Sequence, residues 1–70
     1  MNDEEIQRKA PTGKFRVIGF ALSDDQIYLI GDFGTVRAAE ECARMHGTVG
    51  NPTHVYDDAG ELVVRYGSRQ

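Results

Sequence analysis

The hydrophobic period changes once along this chain, inside the block Tyr28 to Gly47, and that change limits what the chain can fold into. Before it, Ile27-Tyr28-Leu29-Ile30 form an unbroken apolar run; after it, Val36, Ala39, Ala43 and His46 recur at steps of three and four. A short continuous apolar run suits a strand, and recurrence at three and four marks one face of a helix. The joint is Gly31-Asp32-Phe33-Gly34-Thr35, where the strand is expected to stop and turn. Thr35 suits the N-cap, because its hydroxyl accepts from a first-turn amide that has no helical partner. Gly47 suits the other end, as a left-handed terminal residue. The pattern predicts a helix over Val36 to His46, with Arg37, Glu40, Glu41 and Arg44 outside and Val36, Ala39, Ala43 and His46, with Cys42 beside them, inside. A stripe of small residues lets a helix lie close on a sheet, although it buries less area than a leucine stripe.

Strand-like segments lie on both sides of this helix. Lys14 to Leu22 is rich in aromatic and β-branched residues, Ser23-Asp24-Asp25-Gln26 has turn chemistry, and Gln26 to Ile30 follows as a second strand, which predicts an antiparallel hairpin. Thr53 to Tyr56 and Glu61 to Tyr66 flank Asp57-Asp58-Ala59-Gly60, a turn with Gly60 in the left-handed region. A simple register there sets Tyr56 against Leu62, Val55 against Val63 and His54 against Val64. The fold class is therefore α+β: β-β-α-β-β, two hairpins forming a four-stranded sheet with one helix packed on one face. The second and third strands run in the same direction, and the strand order stays open. Residues 1–13 read as a flexible N-terminal tail ending in Pro11-Thr12-Gly13, with a short helix capped by Asn2 or Asp3 as its one ordered alternative. Residues 14–67 form a single domain, and 68–70 form a polar C-terminal tail.

Composition matters at two points. Seventy residues support one core, which at this length rarely supplies more than about 3–5 kcal/mol, and the single Cys42 cannot form an intramolecular disulfide. A partner subunit is the expected additional source of stability, the more so because an open sheet has two free edges. The net charge of −3, from 11 acidic and 8 basic residues without a basic block, disfavours a nucleic-acid partner. Arg8, Lys9, Arg16 and Arg65 would have to gather on one face for that reading to hold. The first 13 residues are too polar for a signal peptide, and no apolar run approaches a membrane span, so a soluble, cytoplasmic chain is expected.

No complete catalytic set stands out, and neither an enzyme nor a cofactor is predicted. Asp32-Phe33-Gly34 matches a kinase triplet, but a kinase needs a glycine-rich loop, a paired lysine and a catalytic loop that this length cannot hold. Glycines before a helix N-terminus can cradle an anion, yet the Asp32 carboxylate opposes one. Asp24-Asp25 and Asp57-Asp58 belong to turns, and Glu40-Glu41 to a solvated helix face. Cys42 and His46, four apart on the helix, could join His54 as a small ligand or metal sensor if the second hairpin approached them.

One feature has no place in a monomer's core. In the first strand Phe15, Val17, Gly19 and Ala21 share one face while Arg16, Ile18, Phe20 and Leu22 share the other, so both faces carry apolar groups and the helix covers only one. The sequence therefore predicts a small protein–protein interaction module, binding itself as a homodimer or another protein through a sheet face or edge. Its expected interaction residues are Arg16, Ile18, Phe20, Tyr28, Tyr56, Arg65 and Tyr66.

Overall fold

The computed structural model describes residues 8–48 and 50–67. The elements follow in the order β1 (Phe15–Ala21), β2 (Gln26–Phe33), α1 (Val36–His46), β3 (Thr53–Tyr56) and β4 (Leu62–Tyr66). The strands form one sheet in the order β2-β1-β3-β4, with every neighbouring pair antiparallel. This is the α+β fold read from the sequence, with its strand order now assigned. β2 and β3 run in the same direction, as expected, and β1 lies between them, so α1 crosses over β1.

The helix begins and ends where its pattern dictates. Thr35 is extended, at φ −135° and ψ 155°, and its Oγ1 accepts from the Ala38 amide at 3.1 Å. Ala39 and Ala43 lie fully buried against Val17 of β1 and Val55 of β3, with Phe15, Ile30, Phe33, Cys42, Val64 and Tyr66 packed around them. Alanine at both contact positions brings the helix backbone close to the sheet. The buried Thr53 hydroxyl then reaches the Ala43 carbonyl, 2.7 Å away, and ties the last turn of α1 to β3. Val36 and His46 were expected in the buried stripe and are exposed instead; the buried positions of α1 are Ala39 and Ala43.

The helix end differs from expectation. Gly47 is extended, at φ −78° and ψ 126°, and its amide donates to the Ala43 carbonyl at 2.8 Å. Its glycine is needed for space rather than for a left-handed backbone. A Cβ there would stand 2.9 Å from both Thr53 Oγ1 and Tyr66 Cβ.

Two β-bulges correct the strand readings. In β2 the register shifts between Val17 and Ile18, so that Gly31, Asp32 and Phe33 continue the strand opposite Val17, Arg16 and Phe15 rather than forming a turn. The extension is held by a two-pronged ion pair, Arg16 Nε to Asp32 Oδ1 at 2.7 Å and Arg16 Nη2 to Asp32 Oδ2 at 3.0 Å. In β4 the shift falls between Val55 and Tyr56. Tyr56 opposes Leu62 as predicted, but Val55 opposes Val64 and His54 opposes Arg65. One extra residue in a strand reverses the side of everything beyond it. Here that reversal sends Val64 into the core and Arg65 to the opposite face.

The β3–β4 turn is closed by Asp57, whose Oδ1 accepts from the amides of Ala59 and Glu61, each at 2.9 Å, while Gly60 adopts φ +83° as expected. Chain segment 8–13 lies along this turn. The Ala10 amide donates to the Asp57 carbonyl at 3.0 Å and the Gly13 amide to Asp58 Oδ2 at 2.9 Å, and Ala10 is buried. The short helix considered for residues 2–7 and the tail at 68–70 lie outside the described residues.

Candidate functional site

The sheet face away from α1 is the candidate site. Strand alternation places Arg16, Ile18 and Phe20 of β1 there, and cross-strand pairing adds Leu29 and Ile27 of β2, His54 and Tyr56 of β3, and Leu62 and Arg65 of β4. The centre of this face is already covered. Ile18 is 0% exposed and Tyr56 only 7%, and the Phe20 and His54 rings meet with centroids 4.6 Å apart. The Arg8 guanidinium stands 5.8 Å from the Tyr56 ring centroid, which places segment 8–13 on this side of the sheet. The flanks stay open, with Ile27 at 44%, Leu29 at 46% and Leu62 at 46% exposure.

Five of the seven expected interaction residues share this face: Arg16, Ile18, Phe20, Tyr56 and Arg65. Tyr28 and Tyr66 do not. Tyr28 pairs with Gly19, and a Cβ at Gly19 would fall 2.4 Å from the Tyr28 ring, so the ring lies flat over that glycine on the helix side. Tyr66 packs against the core cluster. Ile27, Leu29 and Leu62 are the members that the sequence reading missed. The alternation of Gln26-Ile27-Tyr28-Leu29 carried the signal for the first two.

The charged groups on this face are largely committed. Asp32 has its carboxyl lowered, first by the hydrogen bond from Arg16 and further by the Arg16 and Lys14 charges, against desolvation that raises it. Arg16 is correspondingly held protonated. Three of the four cations considered for nucleic acid, Arg8, Arg16 and Arg65, share the face, while Lys9 lies beside Gly60 at the hairpin turn. With Arg16 bound to Asp32, Arg8 and Arg65 are what remains of those four cations on this face, beside Lys14 near Asp32.

His54 is the titratable group at the centre. Desolvation lowers its pKa below the ordinary 6.5, and the Arg65 and Arg8 charges lower it further. Its Nδ1 lies 2.9 Å from the Tyr56 hydroxyl, within hydrogen-bond distance. A histidine with a lowered folded pKa contributes stability above the unfolded value and loses it as pH falls toward the folded one. The urea midpoint is therefore expected to drop as pH falls below the ordinary histidine value of 6.5, and His54→Phe should flatten that slope. An identical slope in the variant would assign the effect to another group.

Cys42, His46 and His54 do not converge. Cys42 Sγ lies 3.6 Å from His46 Nδ1, which is also 2.9 Å from the Cys42 carbonyl, but His54 projects from the opposite side of the sheet. The sheet itself separates the helix pair from the third residue of the sensor reading. Desolvation raises the Cys42 thiol, which favours its neutral form. Among the described residues no three His, Cys, Asp or Glu side chains are placed to hold a metal ion, and no helix is long and apolar enough to cross a membrane.

Comparison with protein-family models, with curated proteins and with solved structures gave no match to this chain.

Proposed function

We propose that this chain is a small protein–protein interaction module that works through the open flank of its sheet. One observation carries the reading: Ile27 and Leu29 stand 44% and 46% exposed, side by side on one face of a strand that, among the described residues, has a neighbour on only one side. Large apolar side chains next to unpaired backbone are the surface that another protein covers. The small-residue helix contact supports the same reading, since a core built on Ala39, Ala43, Val17 and Val55 buries little apolar area. In this reading the Phe20, His54 and Tyr56 cluster fills the centre of the face, and the apolar flank beside it makes the contact.

Amide-resolved spectra recorded over a concentration series test this directly. Concentration-dependent shifts are expected along the sheet, centred on β2, with little change at Arg37, Glu41 and Arg44 on the outer side of α1. Shifts confined to α1 would contradict the assignment.

A further inference from the structure

The two edges of the sheet are not equivalent, and the difference selects the edge that is free to pair. Phe20 donates its amide to the Pro52 carbonyl at 2.9 Å and Leu22 donates to Gly50 at 3.1 Å, so both turn their backbone groups toward the β3 side. Alternation then turns Gly19 and Ala21 toward β2, where they pair with Tyr28 and Gln26. Ile27 and Leu29 consequently point their N–H and C=O groups away from β1, at the free edge. Their side chains are themselves exposed and apolar. The run Gln26 to Leu29 is regular and carries no charge or proline, and the bulge at Ile30 ends it. The β4 edge, where Leu62 is also exposed, lacks such a run: the bulge near Val63 and the charge at Arg65 fall inside its five residues. Bulges and charges are what keep an edge from pairing.

We infer that the partner is a second copy of this chain, joined through antiparallel pairing of two β2 strands about a two-fold axis at Tyr28. The inference rests on the interaction-module reading above and adds the partner, the strand and the register. Centring on Tyr28 sets Ile27 against Leu29 of the other copy and Leu29 against its Ile27. Each such pair exchanges two hydrogen bonds, so every outward group of both residues is satisfied. Centring on Ile27 would bring Leu29 against Asp25, and centring on Leu29 would bring Ile27 against Gly31, beyond the bulge. The chosen register also places Ile27 and Leu29 of both copies together on one face as a continuous apolar strip. This contact is smaller than the about 1,600 Å² typical of a stable complex, so a dimer that dissociates on dilution is expected.

Disulfide trapping tests the register. With Cys42→Ser removing the native thiol, Tyr28→Cys places two thiols at the axis. Directly opposed residues that exchange no hydrogen bonds have Cα atoms about 4.5 Å apart, within the disulfide range. Ile27→Cys in the same background places its thiols diagonally, about 7–8 Å apart at Cα, too far to join. Mild oxidation with glutathione disulfide should convert the first variant to covalent dimer and leave the second monomeric. Linking at residue 27, or no link at residue 28 in a folded variant that still associates, would overturn the edge pairing and leave the interaction module standing. A folded chain that stays monomeric throughout would overturn the edge pairing as well. Leu29→Pro gives a second reading without a thiol, because it deletes an amide that faces outward. It should weaken association more than tenfold while the circular dichroism of the monomer is kept, and unchanged association in that variant would also overturn the pairing.

Discussion

Gly67→Ala is expected to unfold most of the population. Gly67 sits at φ +77°, a conformation that costs an L residue about 1–2 kcal/mol, and its added Cβ would lie 2.4 Å from the Thr48 carbonyl oxygen and 2.6 Å from the Thr48 amide nitrogen. Both are backbone atoms and cannot swing aside. Forcing extra volume into such a site adds about 1–3 kcal/mol, so the total of about 2–5 kcal/mol rivals the whole stability of a domain this size. Gly13 provides the internal control. It has the same φ of +77° but nothing within 4 Å of its Cβ position, so Gly13→Ala should show the backbone cost alone. Urea melts of the two variants measure the difference, and equal losses would remove the contact between Gly67 and Thr48 from the account.

Ile18→Ala is the second large effect. Ile18 is fully buried on the face that α1 does not cover, between Leu29 and His54 on the neighbouring strands. Truncating a buried isoleucine to alanine costs about 2–5 kcal/mol through lost transfer energy and the cavity left behind. A loss that large, measured as a shift in urea midpoint, is expected because Ile18, Phe20, His54 and Tyr56 form a second small core. Leu29→Ala, at a half-exposed neighbour on the same face, should cost clearly less. Equal and small losses at both positions would mean that the face is open throughout and has no second core.

What the residues made legible, and what they did not, divides along the range of the forces involved. The helix bounds, the Thr35 cap and the left-handed Gly60 rest on local chemistry within a few residues, and each stands where its pattern placed it. The two-sided apolar pattern of β1 was equally plain. The bulges at Ile30 and near Val63 were not, because a bulge is decided by what lies across the strand and not by the residues that form it. Their effects spread: Asp32 became a strand residue bound to Arg16, and Arg65 came to face His54. Tyr28 and Tyr66 were grouped with Arg16, Ile18 and Phe20 on one face, yet Tyr28 lies over Gly19 on the helix side and Tyr66 packs against the core cluster. The sensor reading failed for a related reason. Spacing along α1 brings Cys42 and His46 together, but only the sheet order reveals that His54 faces the other way.

In this chain, then, the groups with the most reactive chemistry are separated or neutralised, and the unsatisfied surface is a flank of the sheet. The measurement that bears on this most directly is sedimentation equilibrium of the full chain over a wide dilution series. A reversible monomer–dimer equilibrium, shifting to dimer at high concentration and weakened by Leu29→Pro, is the predicted result. A single monomer mass at every concentration, up to the solubility limit, would contradict it.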